Sequence, residues 1–407
     1  MKFDFGDDFL WGVSTAAHQT EGNNTNSDWW KFETEGKVKG GERSGMACNS
    51  YELYRQDIDL AKKLNVNAFR FSVEWAKIEP KEGEFDQDVL SHYADEVSYM
   101  RKRGIEPMVT LHHFTNPIWL VEKGGWESKK SIAFFLRYVQ KVVETIGDVK
   151  YFITINEPNV YVLFGYLSGY WPPEVKDRKK AKRVLANMAL AHSKTYDLIH
   201  SNVPDAKVST AMNMASFRPK TPIPLDFLLT KIVNYQYNFA FLDAVFFGKI
   251  HSPVGKISLP KGKKLDFIGI NYYTRFLVHF GLTPKISSGN LPKTDMGYEL
   301  YPQGIKDIIK NVWKRYQIPI IVTENGVADE EDKVRIEYIL KILESLSISV
   351  SEGVKLKGYF HWSLMDNFEW AEGFKPRFGL YSTNFKTFER TLRKSGEFCS
   401  KVCSGQL

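Results

Sequence analysis

Eight times along this chain, a short apolar run rich in Val, Ile or Phe is bounded by polar turn residues and followed by a longer stretch with helical periodicity. The runs are Phe9 to Thr15, Asn67 to Ser72, Pro107 to Leu111, Tyr151 to Ile155, Lys207 to Met212, Asp266 to Ile270, Ile318 to Thr323 and Leu356 to Trp362. Helices are predicted between and after them at 51–64, 88–103, 130–146, 182–201, 226–247, 304–316, 332–351 and 387–402. Strand, helix and strand in succession imply parallel pairing through right-handed crossovers, and about eight such units close a (β/α)8 barrel. An open doubly wound sheet would instead carry a glycine-rich phosphate turn after its first strand. That position reads Ala16-Ala17-His18-Gln19-Thr20-Glu21-Gly22, and neither G-x-G-x-x-G nor a Walker sequence occurs later.

The expectation is one α/β domain, a single (β/α)8 TIM barrel over residues 1–407, with no linker, repeat or low-complexity tract. Long connections at 19–49, 166–178, 250–264, 275–301 and 363–384 mostly follow strand C-termini, the face on which barrel enzymes build their sites. A chain that is 43% hydrophobic and 14% aromatic is neither disordered nor fibrous. Basic residues exceed acidic ones by 55 to 48, and the excess is scattered, which gives no case for a nucleic-acid partner. Cys48, Cys399 and Cys403 are odd in number and lack metal-type spacing, so a reducing compartment is favoured. Acids in Met1 to Asp8 sit where a secretory signal needs an apolar core, and no run of ~18 apolar residues is present to span a membrane. A soluble cytoplasmic protein is expected, and a homo-oligomer is left open.

Two glutamates stand at comparable points, each just past a strongly apolar strand. Glu157 lies in Phe152-Ile153-Thr154-Ile155-Asn156-Glu157-Pro158 and Glu324 in Ile320-Ile321-Val322-Thr323-Glu324-Asn325-Gly326. Either one alone reads as a solvated turn residue. Together, at the ends of strands four and seven of a small closed barrel, they can point into the same mouth. Paired carboxylates suit glycoside cleavage, because one protonates the leaving oxygen while the other attacks or stabilises the developing oxocarbenium carbon. A separation of ~5–5.5 Å implies retention and ~6.5–9.5 Å implies inversion. Arg70, between Phe69 and Phe71, is expected to point inward and to keep one carboxylate ionised. His112 and His113 are adjacent in a strand and face opposite sides, so they cannot readily share a metal ion; no metal or cofactor motif is present.

The segments Thr154-Ile155-Asn156-Glu157-Pro158 and Val322-Thr323-Glu324-Asn325-Gly326 resemble the acid/base and nucleophile signatures of the family 1 glycoside hydrolases, the β-glucosidase and β-glycosidase family. Phe9-Leu10-Trp11-Gly12 near the start, Arg377-Phe378-Gly379-Leu380 and Arg390-Thr391 extend the match over nearly the whole chain. The resemblance implies a retaining exo-acting enzyme with Glu324 as nucleophile and Glu157 as acid and then base. It gives Arg70 the same task as above, and Tyr273 a contact to the nucleophile. It implies that Gln19, His113, Asn156, Glu369 and Trp370 bind sugar hydroxyls, that Trp362 is a stacking platform and that Phe378 limits the pocket near C6. Asn271 is also expected at the substrate. Trp119, Trp126, Trp171 and Asn213 are candidates for the entrance.

Expected partners are small β-glycosides and oligosaccharides, with glucosides first and galactosides or fucosides also accepted. Relatives acting on 6-phosphorylated sugars use a serine, lysine and tyrosine cluster where this chain has Glu369, Pro376 and Phe378, so a phosphate would meet a carboxylate. Transglycosylation, a 6-phospho-β-glycosidase for which Lys375 and Arg377 are the nearby cations, and a catalytically silent sugar-binding barrel are the other readings. Thr115-Asn116-Pro117 and Tyr381-Ser382-Thr383-Asn384 depart from the family pattern without touching either glutamate.

Overall fold

The expected apolar runs lie side by side in chain order in a computed structural model of the protein, which describes residues 3–147, 149–250, 257–259, 262–280 and 285–406. The two N-terminal residues and part of the connection expected at 250–264 lie outside the described residues. The strands are Leu10–Ser14 (β1), Ala68–Ser72 (β2), Glu106–Thr110 (β3), Tyr151–Asn156 (β4), Lys207–Pro219 (β5), Ile268–His279 (β6), Ile320–Asn325 (β7) and Leu356–Trp362 (β8). Each pairs in parallel with its neighbours, β7 pairs with both β6 and β8, and β1 pairs with both β8 and β2, so the sheet closes on itself. The fold is a single (β/α)8 barrel.

Alternation along the strands sorts side chains into two cores. One set points inward and fills the barrel floor: Ala68, Met108, Ile153, Ala211, Ile321 and Phe360, with Phe267 beneath them. The other set points outward, with Val13, Phe69, Phe71, Val109, Phe152, Ile270 and Val322 packing beneath the helices. The helix Lys130–Ile146 shows why the cover fits: Ile132, Phe135, Val139, Val142 and Ile146 recur every three or four residues and are all buried. Above the apolar floor, toward the strand C-termini, the inward positions turn polar. Ser14, Arg70, Thr110, Asn271 and Thr323 occupy them, all buried.

The structure departs from the sequence reading in three places. First, β5 and β6 run well past the barrel rim and keep pairing from Ser216↔Arg275 to Pro219↔Val278, and the strand Lys285–Ser287 adds to the β6 edge. The connection expected at 275–301 therefore begins as strand, to His279, and contains a second strand at Lys285–Ser287, with Ala215, Phe217 and Val278 packing against Leu229, Val233 and Phe276. Second, the helix expected at 226–247 is broken: Pro224–Asn234 passes through a wide π turn at Tyr235–Phe239 before Ala240–Phe247. Third, the helix expected at 387–402 begins only at Lys394, after a hairpin of Tyr381–Thr383 with Arg390–Leu392. Asn384 Oδ1 accepts the Lys386 and Thr387 N–H groups, a turn-forming pattern, and Arg390 is then held in the strand by its buried pair with Asp57.

Phe360, with no exposed surface inside the barrel, leaves a cavity on truncation that the closed ring of strands cannot collapse to fill. Phe360→Ala is expected to cost about 3–5 kcal/mol, read as a lower denaturant midpoint at unchanged slope.

Candidate active site

Strict alternation alone does not bring the polar groups of β4 and β7 together. Between Ile153 and Asn156, β4 holds two residues opposite one on β5, and between Val322 and Glu324, β7 holds one residue more than β6. Each bulge re-aims the side chains beyond it. Thr154 bonds outward to His192, while Asn156, next but one along, meets Arg70 inside. Thr323 bonds Asn271 inside the barrel, and Glu324 beside it also faces inward to Arg70, whereas Asn325 turns out to Tyr338. Glu157 then adopts a left-handed conformation (φ 43°) ahead of Pro158 at the start of a short helix. A Cβ on Gly326 would overlap the Trp362 carbonyl oxygen, so only glycine allows the chain to leave β7 at this point.

Arg70 ties these pieces together. Its Nη1 donates to Glu324 Oε1 at 2.5 Å, Nη2 to Asn156 Oδ1 at 2.7 Å and Nε to Thr110 Oγ1 at 3.0 Å. A guanidinium only donates, so the Asn156 carbonyl must face it and the Asn156 amide donates to His113 Nε2 at 3.0 Å. Asn271 Nδ2 donates to Asn156 Oδ1 at 3.1 Å and to Glu157 Oε1 at 2.8 Å, while its carbonyl accepts from Thr323. Tyr273 donates to Glu324 Oε2 at 2.6 Å and Asn213 to Glu157 Oε1 at 2.9 Å.

Glu157 and Glu324 line the same cavity, of about 560 Å³. Gln19, His113, Asn156, Tyr273, Trp362, Glu369, Trp370 and Phe378 lie on its wall. Asn271 and Arg70, both without exposed surface, stand behind the carboxylates. Gln19 donates to Asn367, Phe368 and Glu369, while its own side-chain carbonyl oxygen and His113 Nδ1 are buried with no partner among the described residues. Buried polar atoms of this kind are costly unless a ligand satisfies them. Trp370 stacks on His18, whose ring is in turn held by Glu33 at 2.7 Å.

Of the four entrance candidates, Trp171 and Asn213 reach the cavity. Trp119 donates to the Glu79 carbonyl and Trp126 to Asn116, both within the helical cover, so they are structural. Tyr170, Phe217, Tyr237, Phe276, Ile286 and Tyr298 also line the cavity. No sequence motif marks them, because the extended β5 and β6 arm and the π turn place several of them. Lys375 is solvent-exposed, and Arg377 lies over Phe385; neither reaches the cavity.

The glycosyl hydrolase family 1 model matches residues 1–406. The chain belongs to that family. It is 35% identical to beta-glucosidase A of Thermotoga maritima, over 98% of this chain and 97% of that protein. The beta-glycosidase from Pyrococcus horikoshii superposes with a TM-score of 0.95 at 39% identity, covering 100% of this chain and 96% of that one. The Thermotoga maritima β-glucosidase in complex with glucoimidazole superposes at 0.94 with 33% identity, covering 100% and 99%. Membership makes this chain a glycoside hydrolase.

In this family 1 hydrolase the cavity's carboxyls are not electrostatically alike. Burial, reinforced by the charge of Glu324, pushes Glu157 up to about 8 against the bonds from Asn271 and Asn213. Burial also raises Glu324, but the Arg70 charge and the Tyr273 hydroxyl hold it down. Arg70 bonds Glu324 directly and is the strongest influence opposing its burial, whereas it makes no bond to Glu157, so a proton entering the pair settles on Glu157. Glu157 Oε1 already accepts two N–H bonds, which leaves Oε2 to carry that proton. Burial and then the charge of Glu324 also push Glu369 up to about 8. Burial, with Arg70 adding to it, holds His113 well below its ordinary value and therefore neutral.

A carboxyl whose folded pKa exceeds its unfolded one keeps a proton that the unfolded chain has released, so it lowers stability as pH climbs toward the folded value. Glu157→Gln is therefore expected to melt higher than the parent, with the difference in melting temperature growing between about pH 5 and pH 8. A difference independent of pH would show that Glu157 is not held protonated in the fold.

Proposed function

We propose that the chain is a retaining exo-β-glycosidase that hydrolyses O-glycosides through a covalent glycosyl-enzyme, with Glu324 as nucleophile and Glu157 as acid and then base. The observation that carries this reading is the asymmetry of the pair. Both glutamates face one cavity, but of the two only Glu324 is bonded by Arg70, and burial beside the charge of Glu324 pushes Glu157 up to about 8. Glu324 attacks the anomeric carbon while Glu157 Oε2 gives its proton to the glycosidic oxygen, which leaves with the bonding pair. Once Glu324 is an ester its charge is gone, the pKa of Glu157 falls, and the same carboxylate takes a proton from the water that cleaves the ester.

The glycone end of the cavity suits an unphosphorylated hexose. The orphaned Gln19 carbonyl, His113, Asn156 and Glu369 offer donors and acceptors to hydroxyls, and Trp362 and Phe378 offer apolar faces to C–H groups. Glu369 can accept from a C4 hydroxyl of either configuration, which supports glucosides with galactosides and fucosides tolerated. A 6-phosphate would meet Glu369, and no lysine or arginine among the described residues lines the cavity to receive it.

Release of nitrophenol from aryl β-glucoside, galactoside, fucoside and mannoside tests the activity, and silence on all four sinks it. The pH profile of kcat/KM is expected to fall on the basic side near 8, as Glu157 loses its proton, and on the acid side as Glu324 gains one. Glu324→Ala should lose at least about 10³-fold in kcat, and azide should restore turnover of an activated β-glycoside as the α-glycosyl azide. An unrescued variant that stays active removes Glu324 from its role.

A further inference from the structure

Glu157 Oε1 is held by two amides, and one of them, Asn213, is not obliged by its own chemistry to present its nitrogen. An asparagine side chain flipped by half a turn would present its carbonyl to the acid instead. A protonated Glu157 would then donate to Asn213, and its proton would be withheld from the leaving oxygen. The flip is opposed on the other side of the amide, where a tyrosine hydroxyl that accepted from the amide nitrogen would leave its own proton with no acceptor among the described residues. The Tyr237 hydroxyl donates to Asn213 Oδ1 at 2.9 Å, while Asn213 Nδ2 donates to Glu157 Oε1 at 2.9 Å. Tyr237 stands on the wide π turn Tyr235–Phe239, and a side chain in such a turn is offset from the position a regular helix would give it.

The frame around the pair is tied at several points. Asn159, two residues after Glu157, donates to the main-chain carbonyls of both Asn213 and Tyr237, at 2.8 and 3.1 Å. Asn238 clamps the π turn to β5 by donating to the Ala215 carbonyl and accepting from its N–H. The Tyr237 ring packs edge-on against Phe217, with centroids 5.4 Å apart. Burial and the nearby charge of Glu157 hold the Tyr237 hydroxyl well above its ordinary value, so it stays a donor through the working pH range.

We propose that Tyr237 is a positioning residue that sets the orientation of Asn213, so that Glu157 keeps its proton on the oxygen facing the glycosidic bond. The proposal rests on the assignment of Glu157 as the acid. Asn213 donation also lowers the Glu157 pKa, so losing its orientation lets that pKa rise.

The experiment compares Tyr237→Phe, which keeps the ring and its packing on Phe217, with the parent on phenyl and 2,4-dinitrophenyl β-glucosides across pH. Phenol is the poorer leaving group and needs the proton, whereas dinitrophenol leaves without it. The expected result is an about three- to tenfold loss in kcat/KM on the phenyl glucoside, a clearly smaller loss on the dinitrophenyl one, and a basic limb moved to higher pH. Asn213→Ala should show the same signature, and the double variant should add little to it. Equal losses on both substrates, an unmoved basic limb, or fully additive variants would overturn the proposal. Glu157→Gln serves as the control: its basic limb should vanish, and a limb that persists in it overturns the acid assignment itself, separately from the Tyr237 result.

Discussion

A guanidinium with no exposed surface sits at the top of the barrel interior, and the chemistry of the cavity depends on the bonds it must make. Arg70 carries a full charge into an environment that strongly disfavours one, and such a charge persists only where an anion and polar groups surround it. Glu324 supplies the anion, while Asn156, Thr110 and the Thr323 carbonyl supply the remaining acceptors. Because a guanidinium never accepts, it also dictates which way the Asn156 amide points and hence what His113 receives. Charge, amide orientation and imidazole protonation are thus set together from one point. The fold pays for this arrangement by burying several carboxyls above their ordinary range, with Glu157 and Glu369 both pushed to about 8.

The apolar floor and the polar layer above it divide the labour. Phe360, Ile321 and Met108 fill the barrel much as any hydrophobic core is filled, and they hold the strand spacing on which the upper layer depends. The upper layer contributes little burial of apolar surface and much direction. Its hydrogen bonds run across strands, from β2 to β3, β4 and β7 through Arg70 alone. A site built on strand ends in this way is more rigid than one carried on loops.

Much of this was legible in the residues themselves. The eight apolar runs announced the barrel, and Phe69-Arg70-Phe71 announced an inward arginine, because alternation is enforced wherever both faces of a strand are buried. The two glutamates were found by their position at the ends of strands four and seven together with the family signatures. The features that stayed hidden depend on departures from regularity. Nothing in Ile153-Thr154-Ile155 or Val322-Thr323-Glu324 declares an extra residue in the ladder, since bulges have no strong composition. The rim tryptophans Trp119 and Trp126 could not be told from Trp171 without knowing which loops fold back into the helical cover. The strand residues of 275–301 read as loop because a strand that leaves the barrel has no floor below it to impose an apolar period, and its packing comes from Phe217 of β5 and from Leu229 and Val233 of the broken helix. The π turn that carries Tyr237 is likewise decided by the surfaces the helix must fit around.

The two bulges have a bearing on how such a chain can vary through descent. Insertions or deletions in the loops beyond the rim leave the count of residues along the barrel strands untouched, so those loops are free to drift in length. Within β4 and β7 that freedom ends. Removing or adding a single residue there turns the inside of the barrel to the outside for everything downstream, and Asn156 or Glu324 would face the helices. Gaps between this protein and its relatives should therefore gather in the connections and stop at those two short stretches, which are protected by arithmetic as much as by chemistry.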